Sequence, residues 1–205
     1  VDTAQERLRA PPDPRAQVRS LQWLSELENE AGPPHDRAVP AIRRAIFIRD
    51  SLGETKDMAY IGLFSSLADA LDEQGRHRQS LATYDSAMAI LDRTGRGETM
   101  TRVILQHDRA VTLMSLGEVA AAERSLHDLL DRVRRSDPGG DIPAQPLIHY
   151  AHAALFENHA DSAAKYFAML ASQSGRQENT YWEGRGLFGL LQAQLRLGDV
   201  AAARR

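Results

Sequence analysis

The 205-residue chain contains no cysteine. A disulfide scaffold, a thiolate zinc site and a cysteine nucleophile are thereby excluded, while the compartment stays open. Neither charge sign dominates: 25 Lys plus Arg face 28 Asp plus Glu, a formal charge of −3. A basic nucleic-acid-binding module is therefore not expected. No apolar run approaches the ~18 residues that span a bilayer, and no signal-peptide pattern opens the chain, so direct membrane insertion is not expected either. Glycine and proline are scarce inside long stretches and β-branched runs are few, which favours helices. What is present is abundant alanine and leucine, with a hydrophobic fraction of 42%. That suffices for a sizeable core in one domain or two small ones. The chain starts at Val1 rather than Met, as expected of a processed or excised piece.

The remaining signal is periodic. Leu67-Ala68-Asp69-Ala70-Leu71-Asp72-Glu73-Gln74-Gly75 is followed by Ser80, Tyr84 and Ala87. Ala110-Val111-Thr112-Leu113-Met114-Ser115-Leu116-Gly117 is followed at the same offsets by Ala122, Leu126 and Leu129. The two glycines are 42 residues apart. A third copy places Asn158 where the glycine stood, 41 residues on, ahead of Ala163, Phe167 and Leu170. Asn tolerates the left-handed backbone best after Gly. A fourth copy ends at Gly198, 40 residues further, with Ala203 five residues later. Upstream, Ala38, Ile42 and Ala45 precede Ser80, Tyr84 and Ala87 by 42 each, behind a helix with Leu21 and Leu24 that ends near Gly32.

Each copy reads as two antiparallel helices. Tyr60, Leu63, Phe64, Leu67 and Leu71 share one face of the first helix of the second unit. Leu81, Tyr84, Met88 and Leu91 line its second helix, and Ala68, Ser80 and Ala87 let the two approach closely. One such pair cannot bury its apolar faces alone, so neighbours must stack into a solenoid. Gly53, Gly95, Gly97, the run Ser136-Asp137-Pro138-Gly139-Gly140, and Gly175 punctuate the units. Pro40 fits the first turn of a helix starting near Asp36. Residues 136–146 read as a longer loop between units, because the register resumes after them. The units run near 15–52, 55–94, 98–136, 144–174 and 178–205, the last incomplete, after a lead-in of residues 1–14.

The succession large, small, large, turn Gly, small, large or aromatic, small is carried by Phe64, Leu67-Ala68, Leu71, Gly75, Ser80, Tyr84 and Ala87. It resembles the tetratricopeptide repeat (TPR). A spacing near 42, against ~34 for the minimal repeat, is similar to the extended-helix variety of kinesin light chains and many bacterial regulators. The resemblance implies an all-α, right-handed superhelix of about five TPR-like units that binds protein or peptide, without catalysis or a cofactor. More narrowly, Asp13-Pro14-Arg15-Ala16-Gln17-Val18-Arg19 and Arg37-Ala38-Val39-Pro40-Ala41-Ile42-Arg43-Arg44-Ala45 resemble the repeat region after the catalytic domain of bacterial eukaryotic-like serine/threonine kinases. Similar arrays occur in large bacterial transcriptional activators. No Gly-rich phosphate loop, His-Arg-Asp or Asp-Phe-Gly is present. The resemblance thus implies a non-catalytic regulatory part of a longer signalling protein, cytoplasmic by default and extracytoplasmic if a membrane span separates it from a kinase.

In such arrays the first helices line the concave surface. Residues 13, 10, 6 and 3 before each turn share that face: Arg19, Gln22, Glu26 and Asn29; Gly62, Ser65, Asp69 and Asp72; Ile104, His107, Val111 and Met114; Gln145, Ile148, His152 and Leu155; Arg185, Phe188, Gln192 and Leu195. The groove should grade from acidic to apolar. Its candidate binding residues are Asp69, Asp72, His107, Met114, His152, Arg185 and Gln192, for an amphipathic helix or extended peptide with basic groups near the two aspartates. The apolar positions Val111, Met114, Leu155 and Leu195 are either groove floor or covered by neighbours. Arrays that hold chaperone C-terminal carboxylates use Lys and Asn where this chain has Ser65, Asp69, His107 and Val111, so that ligand is not expected.

Among seven histidines, His149 and His152 lie three apart, and His107 can face His152 from the preceding unit. A zinc site needs three protein ligands, and no metal site is expected. The paired carboxylates Glu26 with Glu28, and Asp69 with Asp72 and Glu73, are expected to be solvated or in i, i+4 pairs. Tyr181 and Trp182 are expected in the core between units. Arg134-Arg135 and Arg204-Arg205 complement helix dipoles, and Gly184-Arg185-Gly186 lies in a helix and is no phosphate loop. An uncapped last unit offers a route to self-assembly, and a cavity between units a route to small-molecule binding. The parent chain is expected to continue beyond Arg205.

Overall fold

The computed structural model describes residues 13–31, 37–97 and 100–199, and for 25–31 the backbone alone. Among these residues the chain is all-α, with nine helices and no strand. They are α1 (Pro14–Ala31), α2 (Ala38–Ser51), α3 (Met58–Glu73), α4 (His77–Arg93), α5 (Met100–Ser115), α6 (Val119–Ser136), α7 (Ala144–Phe156), α8 (Ala160–Arg176) and α9 (Thr180–Arg196). The chain divides into two compact bodies, Val1–Glu98 and Thr99–Arg205.

In the first body, α1 pairs with α2 and α3 with α4, and α2 packs on α3. The predicted apolar face of α3 is the buried one: Tyr60, Leu63, Leu67 and Leu71 are buried and Phe64 is half-buried. Tyr84 and Leu91 of α4 meet it, while Leu81 and Met88 are half-buried. Ala68, Ser80 and Ala87 are fully buried at the hairpin seam, where a larger side chain would hold the helices apart. Val18, Ile42, Ile48, Leu63 and Leu71 belong to one core cluster that joins the two hairpins. Arg49 closes the α2–α3 connection. Its Nη2 lies 2.5 Å from Asp57 Oδ2, and its Nε donates to the Glu54 carbonyl at 3.2 Å. Asp57 caps α3 by accepting from the Tyr60 amide at 2.8 Å. Burial alone would raise the Asp57 carboxyl, but that amide and the Arg49 guanidinium outweigh it, and the group sits below its ordinary range. Pro40 does lie in the first turn of its helix, although α2 starts at Ala38 rather than near Asp36.

In the second body, α5 pairs with α6, α7 with α8, and α9 lies on α8. α5 also meets α7, and α7 meets α9, so the first helix of each hairpin touches the first helix of the next. Leu105, Leu126, Leu129, Leu130, Leu147 and Phe167 are fully buried between them. The Pro- and Gly-containing segment after α6 is the loop 137–143. Residues 200–205, where the second helix of the fifth hairpin is expected, lie outside the described residues, as do Arg204-Arg205 and the region of Gly32 and Asp36.

One device ends α2 to α5, α7 and α9, whereas α6 stops at Asp137 with φ −141°. Gly53, Gly75, Gly95, Gly117 and Gly198 have φ between 69° and 78°, and Asn158 has φ 65°. The residue after each donates its amide to a carbonyl five positions back, as Arg76 does to Leu71 at 2.8 Å, Glu118 to Leu113 at 2.9 Å and His159 to Ala154 at 2.7 Å. This is the Schellman closure, which only a left-handed residue can make. Turns within and between hairpins share it. At the α8–α9 junction the stop differs from expectation: Gly175 is inside α8, and Glu178 takes the left-handed conformation at φ 55°. Asn179 then donates to the Ser174 carbonyl at 2.9 Å.

Two glycines of α9 are there for space rather than for turning. A Cβ on Gly186 would come 2.6 Å from the Ala171 backbone nitrogen, and one on Gly189 would come 2.2 Å from the Phe167 ring. α9 therefore beds its glycine face directly on α8. Glu178→Gly removes a strained side chain and is expected to raise stability by about 0.5–1 kcal/mol in urea denaturation. Gly186→Ala improves helix propensity yet is expected to lower stability by about 1–3 kcal/mol, since the added methyl meets fixed backbone.

Candidate functional site

The seven residues singled out on the first helices fall in both bodies. In the first body, Asp69 and Asp72 are half-buried on α3. Asp69 accepts a hydrogen bond from the Tyr84 hydroxyl of α4. Asp72 accepts from Nδ1 of His77, the first residue of α4, at 2.7 Å. The carboxylates are therefore neither simply solvated nor in i, i+4 pairs. They tie the second helix of their own hairpin to the first, because Tyr84 and His77 reach back across the Gly75 turn. Side chains of Glu26 and Glu28 lie outside the described residues.

The same body holds a cavity that the sequence pattern did not flag. It measures about 900 Å³ and is lined by Tyr60, Phe64 and Ile90 together with Lys56, Arg93 and Arg96. Among the described residues no carboxylate lines it. The Tyr60 hydroxyl donates to Asp50 at 2.5 Å, and burial together with that carboxylate pushes its pKa up to about 12. The three cations come from two different connections, 53–57 and 94–97, and from the end of α4, which is why no single-helix pattern shows them.

In the second body the structure brings some of these residues together and separates others. Met114 of α5, His152 of α7 and Gln192 of α9 line one cleft of about 430 Å³, with Leu155, Phe156 and Arg196. Three successive first helices thus contribute to one surface. Ile104, Phe156, Phe188 and Leu195 are large apolar side chains exposed on those same helices. Val111, Met114 and Leu155 are half-buried, so neighbours cover them only in part.

His107 does not face His152. Its Nε2 lies 2.7 Å from Nδ1 of His149, and the two rings stack with centroids 4.9 Å apart. His107 is buried and His149 half-buried. His107 stands ten residues before Gly117, His149 nine before Asn158 and His152 six before it, so the ring that His107 meets lies one position from its own turn offset. The second nitrogen of His107, Nδ1, lies 2.8 Å from Asp108 Oδ1. A carboxylate only accepts, so Nδ1 carries a hydrogen, Nε2 of the neutral ring is an acceptor, and His149 Nδ1–H donates to it. Burial, then His107, His152 and Arg185 nearby, push His149 down to about 4, with Asp108 opposing. Burial, then Arg185, also lower His152. The His152 ring meets Phe167 edge-on with centroids 5.1 Å apart.

Arg185 is exposed on α9, its guanidinium 5.7 Å from the Tyr181 ring centre and 5.8 Å from that of Trp182. That pair is not core: Tyr181 is 61% exposed and Trp182 half-buried. The reason is that α9 beds on α8 through Gly186, Gly189 and Ala193, which turns its aromatic end outward. Arg134 does more than complement a dipole, since its Nη1 donates to the Tyr166 hydroxyl at 3.0 Å and the guanidinium covers that ring. Three other histidines meet a carboxylate, His77 at Asp72, His127 at Asp131 and His159 at Glu123. Among the described residues no group of three or more His, Asp and Glu side chains is arranged to hold a metal ion, and no helix is long and apolar enough to cross a membrane.

No protein-family model matches the sequence, and no curated protein matches it. Solved structures do. The nearly identical TPR-like repeats of a designated kinesin light chain from Podosopora anserina superpose with a TM-score of 0.77 at 16% identity, over 95% of this chain and 92% of that one. BtubC (BKLC) from P. vanneervenii gives 0.65 at 16% identity, over 95% and 88%. MamA from Desulfovibrio magneticus RS-1 gives 0.62 at 12% identity, over 92% and 89%. The chain therefore has the TPR-like α-solenoid fold.

The histidine pair makes stability depend on acid. With His149 at about 4 folded and 6.5 in the unfolded chain, the unfolded state binds more protons between those values. Its stabilising share is complete above pH 6.5 and is lost as the pH falls towards 4. The melting temperature followed by circular dichroism is expected to drop across that window, and to drop less steeply in His149→Gln.

Proposed function

We propose that the protein is a protein- or peptide-binding module, the regulatory or scaffolding part of a longer signalling protein, and that its binding surface is the cleft formed by α5, α7 and α9. The observation that supports this is the convergence of Met114, His152, Leu155, Phe156 and Gln192 from three different helices on one open concavity, with Phe188 and Leu195 exposed on the same helix as Gln192. Shape is supplied by stacked helices whose separation is set by small buried residues. Affinity would come from burying the partner's apolar side chains against Met114, Leu155 and Phe156, with His152, Gln192 and Arg196 fixing its orientation. Asp69 and Asp72 are better read as supports of their own hairpin. A cleft this small holds two or three side chains of a bound segment, which suits an extended strand or one face of a helix.

The test starts from a displayed library of random twelve-residue peptides selected on the intact protein near neutral pH. Peptides that bind the cleft are expected to lose at least about tenfold in affinity with Met114→Glu or Leu155→Glu, since each buries a charge against the partner's apolar group. Selected peptides that bind both variants as tightly as the wild type would remove the cleft as the site.

A second reading rests on the cavity of the first body. Three cations, an aromatic floor and no carboxylate among the described lining residues suit a small organic anion. Aromatic mono- and diphosphates are suitable probes. The expected outcome is a rise in melting temperature with the probe that Lys56→Ala with Arg93→Ala abolishes.

A further inference from the structure

We propose that the His107–His149 contact is an acid-triggered latch between α5 and α7, in which a second proton on the pair forces the two helices apart and dismantles one wall of the cleft. The latch itself stands on the geometry of the pair, and its effect on binding rests on the cleft reading above.

The chemistry follows from counting hydrogens. In the neutral pair one N–H, on His149 Nδ1, fills the 2.7 Å gap to His107 Nε2. His107 Nδ1–H is already spent on Asp108 at 2.8 Å. A first added proton can be accommodated. His107 becomes an imidazolium whose Nε2–H points at His149, His149 shifts its own hydrogen to Nε2, and its Nδ1 then accepts. Asp108 offsets the single charge. A second proton has no such solution. Both facing nitrogens, 2.7 Å apart, then carry hydrogens, and two positive rings meet with centroids 4.9 Å apart.

The surroundings add to the repulsion. Arg185 reaches the pair from α9 and His152 from α7 itself, and both disfavour charge on His149. Asp108 of α5 opposes them. α8 presents the uncharged Phe167 ring to His152. The acidic groups of α6 that act on α7, Glu123 and Asp131, do so at Tyr150 instead. His107 is buried and His149 half-buried, so the relief for a second charge is to let water in between the rings. That means separating α5 from α7. The depressed titration of His149, to about 4, is what such a pair would show.

The absence of cysteine in the chain makes the test direct. Spin labels are attached at Ile104→Cys on α5 and Gln145→Cys on α7, both exposed positions about one turn from the pair. Spin–spin broadening seen near neutral pH is expected to be lost as the pH falls to about 4, the range where His149 titrates. The same labels in a His107→Gln, His149→Gln background should keep their broadening. His149→Gln alone serves if the double variant does not fold, because it also removes the second proton site. Broadening that persists in the wild type at about pH 4, or that is lost equally in the Gln variants, would overturn the latch. A peptide from the library selection distinguishes the two proposals. Release in step with the label change supports both, whereas a peptide that stays bound while the labels separate leaves the latch standing and removes the cleft reading.

Discussion

A helix of sixteen or so residues with one apolar stripe gains little by folding alone, so everything here depends on stopping each helix where the chain can turn back on it. The left-handed stop residue does this. Its amide and the next one satisfy carbonyls that the helix end would otherwise leave bare, and the following helix is launched antiparallel. Because the same closure ends helices within hairpins and between them, the chain advances by a nearly constant step. The constancy of that step brings residues one repeat apart onto neighbouring helices, and the functional surfaces arise from it.

The closeness of the helices is the second constraint. Ala68, Ser80 and Ala87 at the seam of the second hairpin, and Gly186 and Gly189 where α9 meets α8, hold positions where volume is forbidden. Polar side chains then reinforce what packing establishes. Tyr84 reaches Asp69 and His77 reaches Asp72 across one turn, and Arg49 joins the second helix to the third through Asp57. Acidic residues that look like a binding stripe in one dimension are, in three, the acceptors that tie these hairpins together. The second body differs in that its first helices leave apolar groups uncovered, and this is where a concave surface with mixed chemistry remains open.

The helices, their pairing and the stops at Gly75, Gly117, Asn158 and Gly198 were legible because each depends on near neighbours in sequence: an apolar period, a small residue at the seam, a residue that tolerates positive φ. Glu178 escaped notice because nothing about glutamate advertises that conformation, which is imposed by the packing of α9 on α8. Met114, His152 and Gln192 were legible as one surface because all three fall on the same stripe of successive first helices, His152 and Gln192 six residues before their turns and Met114 three before its own. The partner of His107 was not, since His149 and His152 lie one turn apart on α7 and only the packed structure decides which of them meets it. The cations of the first-body cavity were not legible either, being drawn from two connections and one helix end.

Periodicity and turn chemistry by themselves determined the class of the protein, the number and order of its described helices and the face each one buries, for these follow from interactions that reach only a turn or two along the chain. Tertiary packing alone decided the outward-facing aromatic end of α9, the pairing of two imidazoles across one repeat, and which carboxylates are taken up inside the fold. Those outcomes depend on rotations of about one residue between helices and on distances of a few tenths of an ångström, which only the summed packing of distant residues sets.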